Sequence, residues 1–360
     1  MNLFLCKTPI QVLRAIQLTY YNVDGFGHSS ICIFDTFDIS KKIVSQLKDT
    51  DVFQEVYYVK NNDFKKGKCN YLRSFFEKNF LSNIVSNNSI SSISIFNVDT
   101  YDSFAIYNQL KRKVRVYYIE DAPMIYSFKT PSKRNQFFYG IFGLKFPIFY
   151  VDGWYFSAPD LMKTINDAPV HRLPYFNKND KEFLDLVNAV FEYAEEPVLN
   201  QAKVIFMEES LYTDGILKNS ADFYLYREIY HRYSDTNFAV KLHPRTRENR
   251  FKNELDVLEK SSIPWEVYLL NSQMNNKIFI SMACSTMISP KLLFSEEYRS
   301  ILVYKLLDKD AIRTDGSPYF DKEWINALEK LPKLYNDKEK VLVPESKENL
   351  FDILDKWIKE

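Results

Sequence analysis

Four short segments of this 360-residue sequence carry side chains whose types and spacing suit bond-making chemistry. In Lys241-Leu242-His243-Pro244-Arg245-Thr246-Arg247, proline stops an apolar run and restricts the backbone of the histidine before it. An imidazole held there can give a proton or a hydrogen bond to a departing phosphate oxygen, while Arg245 and Arg247 can neutralise phosphate charge. The same residues also suit a surface turn with a satisfied histidine and solvated arginines. Adjacent carboxylates follow apolar runs at Glu120-Asp121 and at Glu208-Glu209. Either pair can serve as a base toward a hydroxyl or hold substrate hydroxyls, and either can be a polar turn. In Ser281-Met282-Ala283-Cys284-Ser285-Thr286 an apolar run ends in small and hydroxyl residues before a helical pattern. Hydroxyls there cap a helix and, with its free amides, can bind an anion.

Metal chemistry has little support in the sequence. His28, His171, His231 and His243 are widely separated, and no His-Glu-x-x-His occurs. Asp-x-Asp spacing at Asp49/Asp51 and Asp308/Asp310 reads as solvated turns, so neither a metal nor any other cofactor is expected. With only 8 glycines the chain has no glycine-rich phosphate loop, so a nucleotide would need another cradle. The 47 basic and 47 acidic residues balance, which removes a global attraction to nucleic acid or to an anionic membrane and leaves only local patches. Cys6, Cys32, Cys69 and Cys284 form no paired motif and read as buried free thiols of a reducing compartment. The opening residues lack a basic segment before an apolar one. No signal peptide, no spanning helix and a cytoplasmic location are therefore expected.

The elements that must position these groups alternate. Strand patterns fall at 3–6, 30–34, 56–59, 90–96 and 114–119, with helical patterns at 10–21, 40–47, 71–85 and 101–110 between them. The stretch 130–174 is irregular and aromatic. A second series follows, with strands at 203–207, 238–242, 266–270, 278–281 and 299–304, and helices at 180–195, 221–233, 285–294 and 350–358. Alternation of this kind predicts parallel sheets covered by helices, with sites at the carboxyl ends of strands. At 360 residues two domains are expected. We assign 1–175 to an N-terminal Rossmann-like, acceptor-side domain, 176–345 to a C-terminal nucleotide-sugar-binding domain, and 346–360 to a closing helix. Two such α/β halves facing a central cleft form the GT-B architecture of glycosyltransferases. Residues 129–134 are basic and 137–150 aromatic, which suits a foot at a membrane surface or a buried element between domains.

These segments together resemble the bacterial lipooligosaccharide sialyltransferases, glycosyltransferase family fifty-two, and more distantly the bacterial polysialyltransferases. The likeness runs in order through Met1-Asn2-Leu3-Phe4-Leu5-Cys6-Lys7-Thr8-Pro9-Ile10-Gln11, Glu120-Asp121, residues 203–210, His243-Pro244 and Ser281 to Thr286. It implies an inverting, metal-independent transfer from CMP-sialic acid to a glycan or glycolipid acceptor of the bacterial surface, a capsule or lipooligosaccharide. His243 would stabilise the leaving phosphate, with Pro244, Arg245, Ser281, Ser285 and Thr286 on the donor side. Asp121, Glu120, Glu208 or Glu209 would be the base, and Thr8 and Gln11 would touch substrate. Ala122-Pro123 departs from the family's glycine after the acidic pair. A donor other than CMP-sialic acid, such as a UDP-sugar, and a nucleotide- or glycan-binding module without catalysis therefore both stay open. A homodimer and a peripheral membrane contact are further expectations.

Overall fold

The computed structural model describes residues 1–60, 84, 89–97, 101–110, 114–121, 130–162, 164–246, 248–252, 254–258, 263–307, 309–320 and 322–360. The predicted helix over 71–85, apart from residue 84, lies outside these residues, as do Cys69, Ala122-Pro123, Lys129, Arg247 and Asp308, and the side chain of Ser285.

The chain divides into two units, Met1–Tyr193 and Ala194–Glu360. The first holds seven parallel strands: β1 (Asn2–Cys6), β2 (Ser29–Phe34), β3 (Val56–Val59), β4 (Ser92–Ile95), β5 (Arg115–Ile119), β6 (Val151–Phe156) and β7 (Val170–Arg172). Their order across the sheet is β3-β2-β1-β4-β5-β6-β7. The second holds β8 (Val204–Met207), β9 (Phe238–Lys241), β10 (Asp256–Leu258), β11 (Ile278–Ser281), β12 (Arg299–Leu302) and β13 (Val341–Leu342). Its order is β10-β9-β8-β11-β12-β13, again parallel throughout. Both sheets thus begin at a central strand, grow outward on one side, then reverse: the doubly wound Rossmann order. The strands flanking each reversal, β1 with β4 and β8 with β11, are buried along their whole length. A strand covered on both faces needs a continuous apolar run, which Leu3-Phe4-Leu5-Cys6 and Val204-Ile205-Phe206-Met207 supply. In the first unit, the buried hydroxyls of Ser92 and Ser94 both donate to Asn2 Oδ1, at 3.1 and 3.0 Å, which satisfies them inside the sheet.

Strands β10 and β13 have no counterpart in the sequence pattern, and three stretches differ from it. The stretch 130–174 is not irregular: it contributes a helix, Lys133–Ile141, and two sheet strands, β6 and β7. Trp154 and Phe156 of β6 pack on Tyr118 of β5 at ring separations of 5.3 and 5.9 Å, in the middle of the core. Residues 266–270, expected as a strand, lie instead in the helix Trp265–Asn271. Pro264 caps its start, and because residues 265–270 are all buried, the apolar run has no polar face to reveal the helical period. The single helix predicted over 285–294 is a 3-10 turn, Ser285–Met287, followed by a short helix, Ser289–Phe294.

The helix Lys181–Phe191 belongs with the first unit. Its Phe183 lies 5.4 and 5.2 Å from the rings of Tyr20 and Tyr21, and its N-cap Asp180 accepts the Tyr21 hydroxyl at 2.9 Å. The closing helix Lys347–Lys359 packs on the second unit. Tyr233 donates to Asp355 at 2.8 Å, and the Arg232 guanidinium lies 4.1 Å over the Phe351 ring.

Candidate functional site

In the second unit the candidate residues gather at the carboxyl ends of β8, β9 and β11, beside the strand-order reversal where doubly wound sheets bind ligands. Glu208 and Glu209 follow β8 directly and take different partners. Glu208 is buried, and Oε2 accepts the His243 backbone N–H at 2.9 Å and the Thr246 hydroxyl. Its other oxygen pairs with Arg250 at 3.1 Å, and Arg250 also binds Asp222 at 2.9 Å. Both oxygens of Glu208 are spent on the loop after β9, and they tie that loop, His243 included, to the end of β8.

The loop itself is a tight turn in which Thr246 N–H donates to the His243 carbonyl at 2.9 Å, with exposed Pro244 at its second position. The backbone N–H of Arg245 donates to His243 Nδ1 at 3.2 Å. An imidazole that accepts at Nδ1 carries its proton on Nε2, so the ring presents an N–H donor on its other side. Burial, then the charges of Arg245 and Lys241, push its pKa down to about 4. His243 is thus a neutral hydrogen-bond donor at neutral pH, in place of the proton-releasing acid that an ordinary pKa would give. The Arg245 side chain is exposed, 3.7 Å from Asp214, which Ser210 holds through a 2.7 Å bond.

Glu209 Oε1 accepts Ser281 Oγ at 3.0 Å and the Ala283 N–H at 2.7 Å, tying β8 to the turn after β11. Oε2 has no hydrogen bond among the described residues. Burial pushes this carboxyl up to about 7, against the two bonds that hold it down. The Ser281 hydroxyl is fully buried and also accepts the Cys284 N–H at 2.9 Å, so it braces the turn. Thr286 Oγ1 lies 2.7 Å from Cys284 Sγ, and burial pushes that thiol up to about 11. Two residues that no sequence motif marks join this end of the sheet. Arg313 and Tyr319 lie on a small hairpin whose Ile312 and Pro318 bridge and whose Gly316 takes a left-handed φ of 90°. The hairpin pairs with the loop after β8 through Thr314 N–H to the Ile216 carbonyl at 3.0 Å, and Arg313 stacks 4.8 Å over the Tyr319 ring. Burial and the neighbouring Glu209 raise the Tyr319 hydroxyl to about 12. The Asp315-Gly316 dipeptide was the available signal for this turn. For Arg250 the sequence carried none.

In the first unit, Thr8, Gln11 and Asp121 meet at the carboxyl ends of β1 and β5. Thr8 stands at the N-cap of the helix Pro9–Tyr20 but makes no side-chain cap; its hydroxyl donates to Asp121 Oδ1 at 3.3 Å instead. Gln11 Oε1 accepts the Lys7 N–H at 2.6 Å. Burial raises the Asp121 pKa, opposed by the Gln11 and Thr8 side chains. Glu120 is buried and accepts the Ser157 N–H at 2.7 Å, which joins the ends of β5 and β6. Among the described residues no three His, Cys, Asp or Glu side chains are arranged to hold a metal ion. Cys6, Cys32 and Cys284 are free thiols.

No family model matches the chain, and no curated protein matches it. Solved structures resemble it along its length at low identity. The UDP-GlcNAc 2-epimerase of Neisseria meningitidis, bound to UDP-GlcNAc, is 14% identical with a TM-score of 0.50, over 99% of this chain and 91% of its own. Another UDP-N-acetylglucosamine 2-epimerase is 11% identical with a TM-score of 0.51, over 100% and 87%. The spinosyn rhamnosyltransferase SpnG, complexed with thymidine diphosphate, is 10% identical with a TM-score of 0.51, over 100% and 92%. Together with the strand order of both sheets, this likeness gives the chain the GT-B fold of two Rossmann-like α/β units.

Proposed function

We propose that this protein is a nucleotide-sugar-dependent glycosyltransferase whose donor is a nucleoside diphosphate sugar. The observation that carries the reading is the constellation at the β8–β11 reversal: a neutral His243 with its proton on Nε2, Arg245 beside it, and Glu209 with one oxygen uncommitted among the described residues. A departing phosphate gains charge as the glycosidic bond breaks. A fixed N–H donor and a guanidinium stabilise that charge without a proton transfer and without a metal. The acceptor hydroxyl must lose its proton, and a carboxylate with a pKa near 7 is matched to that task. Glu209 is the base we favour; Asp121, the raised carboxyl of the first unit, is the other candidate. Glu120 and Glu208 take structural roles, since backbone and side-chain donors engage them. The two comparison proteins whose descriptions name a ligand hold UDP-GlcNAc and thymidine diphosphate, which supports a diphosphate donor.

A second reading, sialyl transfer from CMP-sialic acid, is supported by the contact of Thr8 with Asp121, which joins the first two segments of the sialyltransferase resemblance. The test is incubation with UDP-, dTDP- and CMP-sugars in EDTA, with and without a galactoside acceptor, and NMR of the products. Transfer from UDP- or dTDP-sugars that His243→Ala abolishes supports our reading. Transfer from CMP-sialic acid alone replaces it with the second. Isomerisation of the donor sugar without acceptor makes the protein an epimerase, and nucleotide binding without turnover makes it a binding module.

A further inference from the structure

The helix Lys133–Ile141 carries its apolar side chains to solvent. Ser132 caps it by accepting the Asn135 N–H at 3.2 Å, and one residue anchors it: buried Tyr139, 5.3 Å from Phe104 and 5.7 Å from Phe146. Residues 133, 134, 137, 138, 141 and 142 follow one another at spacings of four along a single stripe, and every one is exposed. Phe137 is 74% exposed, Ile141 66%, Phe142 49% and Phe138 40%. Five of the nine exposed large apolar side chains among the described residues fall within 137–150. Scattered exposed apolar residues are ordinary, but a contiguous group of this size marks an interaction surface.

The charge says what covers it. Lys133 and Arg134 occupy the first turn of the stripe, and Lys145 lies 4.8 Å over the half-exposed Tyr150 ring. Residues 130–150 contain these three cations and no Asp or Glu, in a chain whose charges otherwise balance. Neither Lys133 nor Arg134 has an acidic partner among the described residues. We propose that this stripe docks the protein on an anionic lipid surface, with Phe137, Phe138, Ile141 and Phe142 in the interface and Lys133, Arg134 and Lys145 at the headgroups. A bilayer rich in anionic lipid offers both parts at once, an apolar layer and negative charge at its rim. The helix lies in the surface; no described helix is long and apolar enough to cross a membrane.

The full chain is sedimented with vesicles of phosphatidylcholine alone, or of about three parts phosphatidylcholine to one of phosphatidylglycerol. Wild type is expected with the anionic vesicles, and less so as salt rises. Lys133→Gln with Arg134→Gln should lower that partition about 30-fold, at roughly fivefold per cation. Phe137→Ser with Ile141→Ser and Phe142→Ser should lower it about 100-fold or more. All five positions are exposed, so thermal melting should not change. Wild type left in the supernatant, or both variants partitioning as wild type, overturns the proposal. So does a dimer in sedimentation velocity that the triple variant dissociates while wild type ignores vesicles, which would make a second copy the occupant.

Discussion

Glu209 offers a quantitative test because its fold-imposed pKa runs opposite to the usual carboxylate. Burial raises it from 4.5 to about 7. The folded protein therefore holds a proton there that the unfolded chain has already released. Stability is greatest below the unfolded value of 4.5 and falls as pH rises toward the folded value of about 7. The full difference corresponds to about 3 kcal/mol. Glutamine keeps an acceptor for Ser281 and Ala283 but never ionises, so Glu209→Gln should match wild type near pH 4.5 and exceed it by about 2–3 kcal/mol at pH 8. His243 acts in the other direction. Its pKa is lowered from 6.5 to about 4, so its contribution is present above 6.5 and lost as pH falls through about 4. That contribution is common to both proteins and cancels in their difference. The chain has two units, so urea titration is best read by hydrogen exchange of the β8 and β11 amides, which report the second unit alone. A difference that stays flat from about pH 4.5 to 8, or a variant less stable at pH 8, would refute the assignment.

Removing Arg250 should be costly for a different reason: Arg250→Ala leaves Glu208 and Asp222 buried without their cation. A loss of about 3–5 kcal/mol in urea unfolding is expected. His243→Ala should leave folding nearly unchanged while lowering donor turnover about 10²–10³-fold; a smaller drop would remove His243 from the chemistry. Because the ring acts neutral, activity should not require its protonation, and the pH–rate profile should show no limb near pH 6.5 that His243→Gln removes. If Asp121 is the base in place of Glu209, Asp121→Asn should abolish transfer and Glu209→Gln should retain it, measured at the same donor concentration.

What could be read from the sequence depended on how thoroughly each element is buried and whether its pattern is local. Strands such as β1 and β11 are short apolar runs ended by polar residues, and they stand within a residue or two of the pattern. The helix Trp265–Asn271 was illegible as a helix because burial on all sides erased its period. Strand β6 hid inside an aromatic run whose neighbours belong to an exposed helix, so one composition served two opposite environments. At the candidate site, the placement of His243 and Glu209 just past strand ends was legible, because apolar runs that give way to polar residues mark where strands stop. The division of labour between Glu208 and Glu209 was not. It depends on Arg250 and on the Ser281 turn, which lie 42 and 72 residues away in sequence and meet the pair only through the sheet.

The strand order has a consequence for how the chain is made. In each unit the strand nearest the N-terminus, β1 or β8, lies at the centre of its sheet and needs a partner on both sides. The second partner, β4 or β11, comes from Ser92–Ile95 or Ile278–Ser281, well downstream of the first. During synthesis a fully buried, mostly apolar central strand of each unit therefore emerges first and waits with one edge unpaired. Such an interval invites misassembly between nascent chains, and parallel sheets closed by distant partners are slow to form. The rate at which β4 and β11 arrive, more than the final stability, should govern how much of this protein is recovered folded.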